Sequence, residues 1–419
     1  MKQKLLLLTN GFPFGENERG FLPAEFSRLT EMFEVYVLAK INEPPQSEWS
    51  KLDYDRSKVF CTGETPLTIP GVLGQIFHRD TLAEIRRAFR DKGNGRLFIK
   101  RIGAILRYRA RACQYEAAIG KICTEQEIKI VYTYWCTQAT LGALMIKKQN
   151  PELKVVTRFH GYDLYQERTE ELWQPFRTDI ADGCGLLIFA CKSAKEYFLN
   201  HWKNTNTKKT ALSYLGCREM EPVIPAEDGR LHLVSCSNLI PLKRVDRIID
   251  GLAALPESVQ VDWHHIGDGA LRQSLENYAG ELLNGHRNIS WTFHGAIPNT
   301  DINRLYQKLH ADVFITTSST EGLPVSVQEA LAMGIPCIGT DVGGICELII
   351  TKKTGWLLSS DPNTKEIAWA IEEAARLSNP QMHQLRQGAV HHWSEIFNSM
   401  ENAANFVRVL NTAVNSKDD

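Results

Sequence analysis

No stretch of this sequence approaches the ~18 uninterrupted apolar residues that a membrane-spanning helix requires. None of its ten cysteines belongs to a CxxC pair or to a Cys/His cluster at zinc spacing. Thiols scattered from Cys61 to Cys346 do not make the disulfide framework of a small secreted chain, so reduced cysteines and a cytoplasmic location are expected. One-sided charge is lacking too. The formal net charge is −1, which gives the whole molecule no pull toward nucleic acid, and no nucleic-acid recognition motif is present. The apolar run near the start, Leu5–Leu8, falls short of the ~7–15 residues of an export signal and is predicted to be a buried strand. There is no internal repeat and no low-complexity tract. The only Asp-x-Asp, Asp53–Tyr54–Asp55, has no convincing strand before it and reads as an acidic loop. Neither a metal nor another cofactor is expected.

What the chain does have is material for more than one core. Its 419 residues are 43% hydrophobic and 23% charged, and that length suggests ~2–3 domains. Short apolar runs alternate with longer amphipathic ones, the pattern of parallel α/β architecture. Strands are predicted at Lys4–Leu8, Val35–Leu38, Ile130–Tyr132, Val155–Phe159, Leu186–Ala190 and Thr210–Tyr214. A second series follows at His232–Ser235, Val261–Ile266, Ile289–His294, Val313–Thr316 and Pro336–Gly339. Helices such as Lys243–Ala254 and Ala270–Leu283 fall between them. Two prolines and little periodicity mark Arg218–Arg230 as a boundary. Two doubly wound domains facing one another across a cleft are expected, with ligands beyond the carboxyl ends of the strands.

Charge is uneven locally. Between Arg79 and Arg111 stand eleven Lys/Arg against three acids, Asp80, Glu84 and Asp91. Leu82, Ile85, Ala88 and Phe89, then Leu97, Ile102, Ile105 and Leu106, recur there at helical spacing. Basic amphipathic helices lie on anionic membranes, hold anionic acceptors, or form the solvated face of a larger fold.

The segment Asp312–Leu348 carries the most chemistry. The strand Val313–Thr316 runs into a loop of small residues and then Glu321-Gly322-Leu323-Pro324. Proline suits the first turn of a helix, which should continue through Val325–Ala332 and stop at Gly334. Glu321 then stands at the helix mouth and Glu329 about one and a half turns inside. The free N–H groups between them suit a phosphate, and the flanking carboxylates suit hydroxyls on either side of it. A nucleotide sugar has that layout.

With its Glu-x7-Glu element and the run EGLPVSVQEALAMGIPCIGTDVGG, the sequence resembles the family 4 retaining glycosyltransferases, and among them those of bacterial surface polysaccharides of colanic acid or capsule type. The resemblance implies a GT-B fold of two facing Rossmann-like domains. It implies that Glu329 holds the donor ribose and Glu321 the transferred sugar, with the backbone of Gly322–Val325 at the phosphates. LVSCSNLIPLKRVDRIIDGL resembles the pyrophosphate segment, whose basic residue is Lys243. The family's arginine five residues earlier is here Asn238, which brings no charge; Arg244 either substitutes for it or turns to solvent. FHGAIPNTDINRLYQK resembles the segment whose backbone at Ala296–Ile297 cradles the base. TRFHGYDLY matches a His-Gly-x-Asp motif, which places His160 at the donor sugar. GFPFGENERGFLPAE resembles the first strand–helix loop, with Gly15 allowing close backbone approach and Glu18 either functional or a helix-start charge. HHWSEIFNSMENAANFVRVL resembles a terminal helix that crosses back. The implied domains are 1–222 for the acceptor, 223–390 for the nucleotide sugar, and 391–419 for that helix.

The resemblance implies retention at the anomeric carbon without a metal, with a glycan or lipid-linked glycan as acceptor and UDP ahead of GDP in the donor. Contact with an anionic membrane is expected through 79–111, and none with nucleic acid. Two alternatives remain: a non-catalytic nucleotide-sugar-binding protein, favoured by Asn238, and a GT-B-fold nucleotide-sugar epimerase.

Overall fold

In the computed structural model of the chain, the alternating pattern resolves into two parallel sheets. The structure describes residues 2–15, 18, 20, 22–63, 65–91, 95–203 and 205–416. The first sheet is built from β1 (Lys4–Thr9), β2 (Glu34–Ala39), β3 (Val59–Cys61), β4 (Ile130–Thr133), β5 (Lys154–Phe159), β6 (Leu186–Phe189) and β7 (Thr210–Leu212). The second holds β8 (Leu231–Cys236), β9 (Val261–Ile266), β10 (Ile289–Phe293), β11 (Val313–Thr316), β12 (Cys337–Thr340) and β13 (Gly355–Leu358).

The strand orders are β3-β2-β1-β4-β5-β6-β7 and β10-β9-β8-β11-β12-β13, and every pairing is parallel. Both are Rossmann-like, each with one reversal of order, between β1 and β4 in the first sheet and between β8 and β11 in the second. Helices cover both faces, so the strands read as continuous apolar runs. Leu5, Leu6 and Leu7 are wholly buried, which accounts for the leucine run near the start of the chain.

The eleven predicted strands are all present; β3 and β13 escaped the sequence reading. Both are short edge strands, and β13 opens on a glycine. The helix expected from Lys243 starts at Val245 instead, because Arg244 takes a left-handed conformation (φ 47°) and Pro241–Lys243 forms a separate 3-10 turn. The helix after β11 spans Val325–Ala332, with Pro324 just before its first turn.

The chain divides into two compact units, Met1–Ser213 with Ala403–Asp419, and Tyr214–Asn402. Residues just after Ser213 pack in the second unit: Cys217 N–H donates to Phe397 O (3.0 Å), and the Trp393 indole N–H points at Cys217 Sγ (3.1 Å). In the first unit, Phe406 of the terminal helix Ser399–Asn415 packs on Tyr132 at 5.2 Å. No described helix is long and apolar enough to cross a membrane.

Candidate active site

In the second unit the predicted residues gather at the carboxyl ends of the strands, around the point where strand order reverses. Asn238, Lys243 and Arg244 follow β8; Glu321, Gly322, Leu323, Pro324 and Val325 follow β11. Lys243 and Glu321 meet directly, with Nζ donating to Oε1 at 2.5 Å across the β8/β11 junction. Asn238 is exposed at the end of β8.

Arg244 neither turns to solvent nor stands free for an anion. Its guanidinium donates to the carbonyls of Thr317, Ser318 and Ser360 and to Asp361. It therefore clamps the loop leaving β11 and brings no unengaged charge beside Asn238.

Gly322 has no neighbour within 4 Å of where a Cβ would stand, so the backbone before the helix Val325–Ala332 faces open space. The loop after β12 supports it from one side. Gly344 N–H donates to Gly322 O at 2.6 Å. Gly343 has φ +57°, and a Cβ there would lie 2.0 Å from Glu321 O. This close packing of Gly343–Gly344 under Glu321 was not drawn from the sequence, although the Gly-Gly pair was its signal.

Glu329 is buried on the same helix and accepts from Asn299 Nδ2 at 2.7 Å. Burial raises its pKa above the ordinary glutamate value; Asn299 and the Arg218 cation partly offset that. Asn299 opens the helix that follows Ala296 and Ile297, so it links the buried carboxylate to that backbone segment. Ala296 is exposed and Ile297 half-buried. Sequence reasoning missed Asn299, because an asparagine after Pro298 reads only as a helix-start residue.

In the first unit, the loops after β1 and β4 meet in the same topological position. Glu18 is buried and accepts from the backbone N–H of Asn10, Gly11 and Phe12 and from the Trp135 indole N–H. It organises the loop from within, rather than serving as a helix-start charge. Gly15 approaches Gly11 so closely that a Cβ on it would lie 3.0 Å from the Gly11 Cα. His160 follows β5, its ring 3.9 Å from that of Trp135 and its Nδ1 3.8 Å from Asp163. Burial lowers its pKa, against the opposing pull of Asp163, and favours a neutral imidazole.

A recess of about 1550 Å³ lies at the amino ends of β8 and β9, lined in part by 222–227, Gly229 and Arg230, and none of the site residues named above lines it. A smaller one of about 450 Å³ opens in the first unit beside Lys40, Arg107, Arg111, Tyr162 and Trp173. No metal-ligating cluster occurs among the described residues.

Comparison with known proteins places these features in a family. The model of the glycosyl transferases group 1 matches residues 218–391, which include every site residue of the second unit. A protein of Escherichia coli K12, named as a colanic acid biosynthesis glycosyltransferase, is 32% identical over 353 residues, 78% of this chain and 80% of its own length. Its namesake in Salmonella typhimurium is 31% identical over 54% of this chain; there the match spans 56% of the relative's length. An Anabaena protein solved with UDP and glucose superposes with a TM-score of 0.65 over 98% of this chain and 100% of its own, at 15% identity. The site residues around the β8/β11 reversal, the two Rossmann-like units and the extent of the E. coli match place the chain in the group 1 glycosyl transferases, of GT-B fold.

Proposed function

We propose that the protein is a retaining glycosyltransferase. It would move a sugar from a nucleotide-sugar donor, UDP-linked before GDP-linked, to a glycan or lipid-linked glycan acceptor in surface-polysaccharide synthesis, in the cytoplasm. The observation that carries this reading is the Lys243–Glu321 contact over the strand-order reversal, beside the open backbone at Gly322. The names of the relatives support the pathway, and the Anabaena complex supports UDP.

On this reading Glu329 accepts from the donor ribose, Ala296–Ile297 meet the base, and Asn238 contributes an uncharged hydrogen bond. The diphosphate sits against Gly322–Val325, and Lys243 exchanges Glu321 for it. The bond from the anomeric carbon to the phosphate oxygen breaks through an oxocarbenium-like state. The acceptor hydroxyl bonds to that carbon on the same face and gives its proton to the departing phosphate oxygen. Lys243 and the backbone N–H groups stabilise the charge that builds there. Glu321, freed from Lys243, takes hydroxyls of the transferred sugar. The recess lined by Lys40, Arg107 and Arg111 is suited to an acceptor bearing an anionic group.

Two outcomes follow for the donor site. Gly343→Ala places a side chain where the backbone is left-handed, costing ~1–2 kcal/mol of stability, and pushes aside the Glu321–Gly322 backbone that meets the diphosphate. UDP affinity measured by calorimetry is expected to fall about tenfold or more, the factor that ~1.4 kcal/mol represents. The second concerns pH. Glu329 must be ionised to accept from two hydroxyls, and its folded pKa lies above the ordinary 4.5. Donor affinity is therefore expected to fall as pH drops through that raised value, earlier than an unperturbed carboxylate would dictate, and Glu329→Gln should flatten the dependence.

The test of the reaction is a screen of UDP- and GDP-sugars with candidate acceptors, the product linkage read by proton NMR. Retention of the donor's anomeric configuration is expected. Donor converted without any acceptor would indicate the epimerase, and donor bound without turnover the non-catalytic protein.

A further inference from the structure

Away from these sites, one surface of the first unit departs from the ordinary. Of the seventeen large apolar side chains exposed among the described residues, seven lie between Ile69 and Ile99, a concentration that random scatter does not give. Four are largely bare: Phe77 at 85%, Ile69 at 76%, Phe89 at 72% and Ile99 at 71% exposure. They belong to three elements: a short helix and turn over Ile69–Phe77, the helix Arg79–Arg90, and the start of the helix Gly95–Glu125. These pack as one layer. Phe89 meets Phe98 at 5.4 Å, Cys113 Sγ points at Gln75 Oε1, and Arg101 donates to Ala88 O.

Charge is sorted within the same layer. Its acids are all paired: Asp80 with Arg109 and Lys148, Glu84 with Arg87, and Asp91 with Arg101. On the helix Arg79–Arg90 the exposed positions are Arg79, Leu82, Arg86, Phe89 and Arg90, a single stripe at helical spacing. On the next helix they include Arg96, Ile99, Lys100 and Arg107. Arg79, Arg86, Arg90 and Arg96 form no ion pair with a described residue. Residues 65–78 carry no Asp, Glu, Lys or Arg. The sequence had placed Leu82 and Phe89 in one apolar set with Ala88; in the structure Ala88 is buried and the other two face outward.

We propose that this face docks on an anionic lipid bilayer. Ile69, Leu73 and Phe77 enter the boundary between headgroups and acyl chains, while the arginine stripes lie against lipid phosphates. An uncharged segment with exposed apolar side chains, followed by helices that carry long cationic stems, suits an anionic bilayer, where apolar groups enter the acyl boundary and cations meet the phosphates. Leu67 and Arg107 both line the smaller recess, so the face runs into the place suggested above for an anionic acceptor. The inference rests on the lipid-linked acceptor reading only for its purpose; the surface itself is independent of donor chemistry.

The experiment is flotation of the full chain with vesicles of phosphatidylcholine alone, or mixed with phosphatidylglycerol, at low and high salt. UDP affinity is measured on the same preparations, so that failure of the donor reading is seen separately. Binding to the mixed vesicles alone is expected. Each neutralised arginine should lower the partition coefficient about fivefold, so Arg86→Gln with Arg90→Gln should lower it about 25-fold. Phe77→Lys separates insertion from attraction. Weaker binding, despite the added charge, supports insertion; stronger binding overturns it. No flotation of the wild type, or equal flotation of all variants, overturns the proposal. So does a concentration-dependent dimer that Phe77→Lys dissociates while vesicles have no effect.

Discussion

Lys243→Ala is expected to lower turnover about 10²- to 10³-fold, the loss typical when one donor to a developing oxyanion is removed. The loss should fall mainly in kcat, because charge on the departing diphosphate grows toward the transition state, and only groups that bind that state better accelerate the step. Lys243 is placed for this by the β8 loop: a 3-10 turn over Pro241–Lys243, closed by the left-handed Arg244 that is itself anchored to Thr317 and Ser318. Its Nζ is bonded to Glu321, and on the proposed reading that contact exchanges for phosphate. Lys243→Arg keeps the charge but changes its shape and donor geometry, and partial recovery is expected. Glu321→Gln should behave differently: it loosens the resting contact and removes a sugar ligand, so donor affinity and kcat change together. Steady-state release of nucleotide diphosphate distinguishes the two patterns.

Glu25→Ala is expected to destabilise the protein by ~3–5 kcal/mol, the range for breaking a buried pair and leaving one charge uncompensated. Arg158 is wholly buried, and its guanidinium donates to Glu25 (2.5 Å), to the Tyr132 hydroxyl (2.9 Å) and to Ser213 O (3.1 Å). Tyr132 in turn donates to Glu25 at 2.8 Å, and Phe406 of the terminal helix covers the guanidinium at 4.7 Å. The network joins β4, β5, the helix Leu22–Met32 and the terminal helix. Removing the carboxylate strands the cation among aromatic rings. Glu25→Ala combined with Arg158→Met should recover much of the loss, since a well-packed apolar replacement is often neutral or better. Urea unfolding reads this as a lower midpoint at nearly unchanged slope for the single variant.

The parallel architecture was legible because strands buried on both faces must be continuously apolar, as Leu5–Leu8 and Val313–Ile315 are. The helix Val325–Ala332 was legible to its ends because Pro324 and Gly334 punctuate it. Less visible were features decided by packing. A lone arginine inside the apolar run of β5 gave no hint that Arg158 is neutralised by Glu25, which stands far earlier in the chain. Asn299 and Trp135 reach Glu329 and Glu18 only through the folding of separate loops. Arg244 followed a basic pattern whose orientation depended on a single left-handed residue. In the basic region the periodicity of Leu82, Ala88 and Phe89 was real, but spacing alone did not tell the buried face from the exposed one.

The central claim is that the second unit binds the diphosphate of a nucleotide sugar between Lys243, Glu321 and Glu329. Calorimetric titration of UDP- and GDP-sugars into the wild type, Lys243→Ala and Glu329→Ala tests it most directly. Saturable binding of at least one nucleotide sugar to the wild type is predicted, with strong weakening in Glu329→Ala and a smaller, measurable weakening in Lys243→Ala, whose main effect is on kcat. Failure of every UDP- and GDP-sugar to bind, or binding unchanged in both variants, would contradict it.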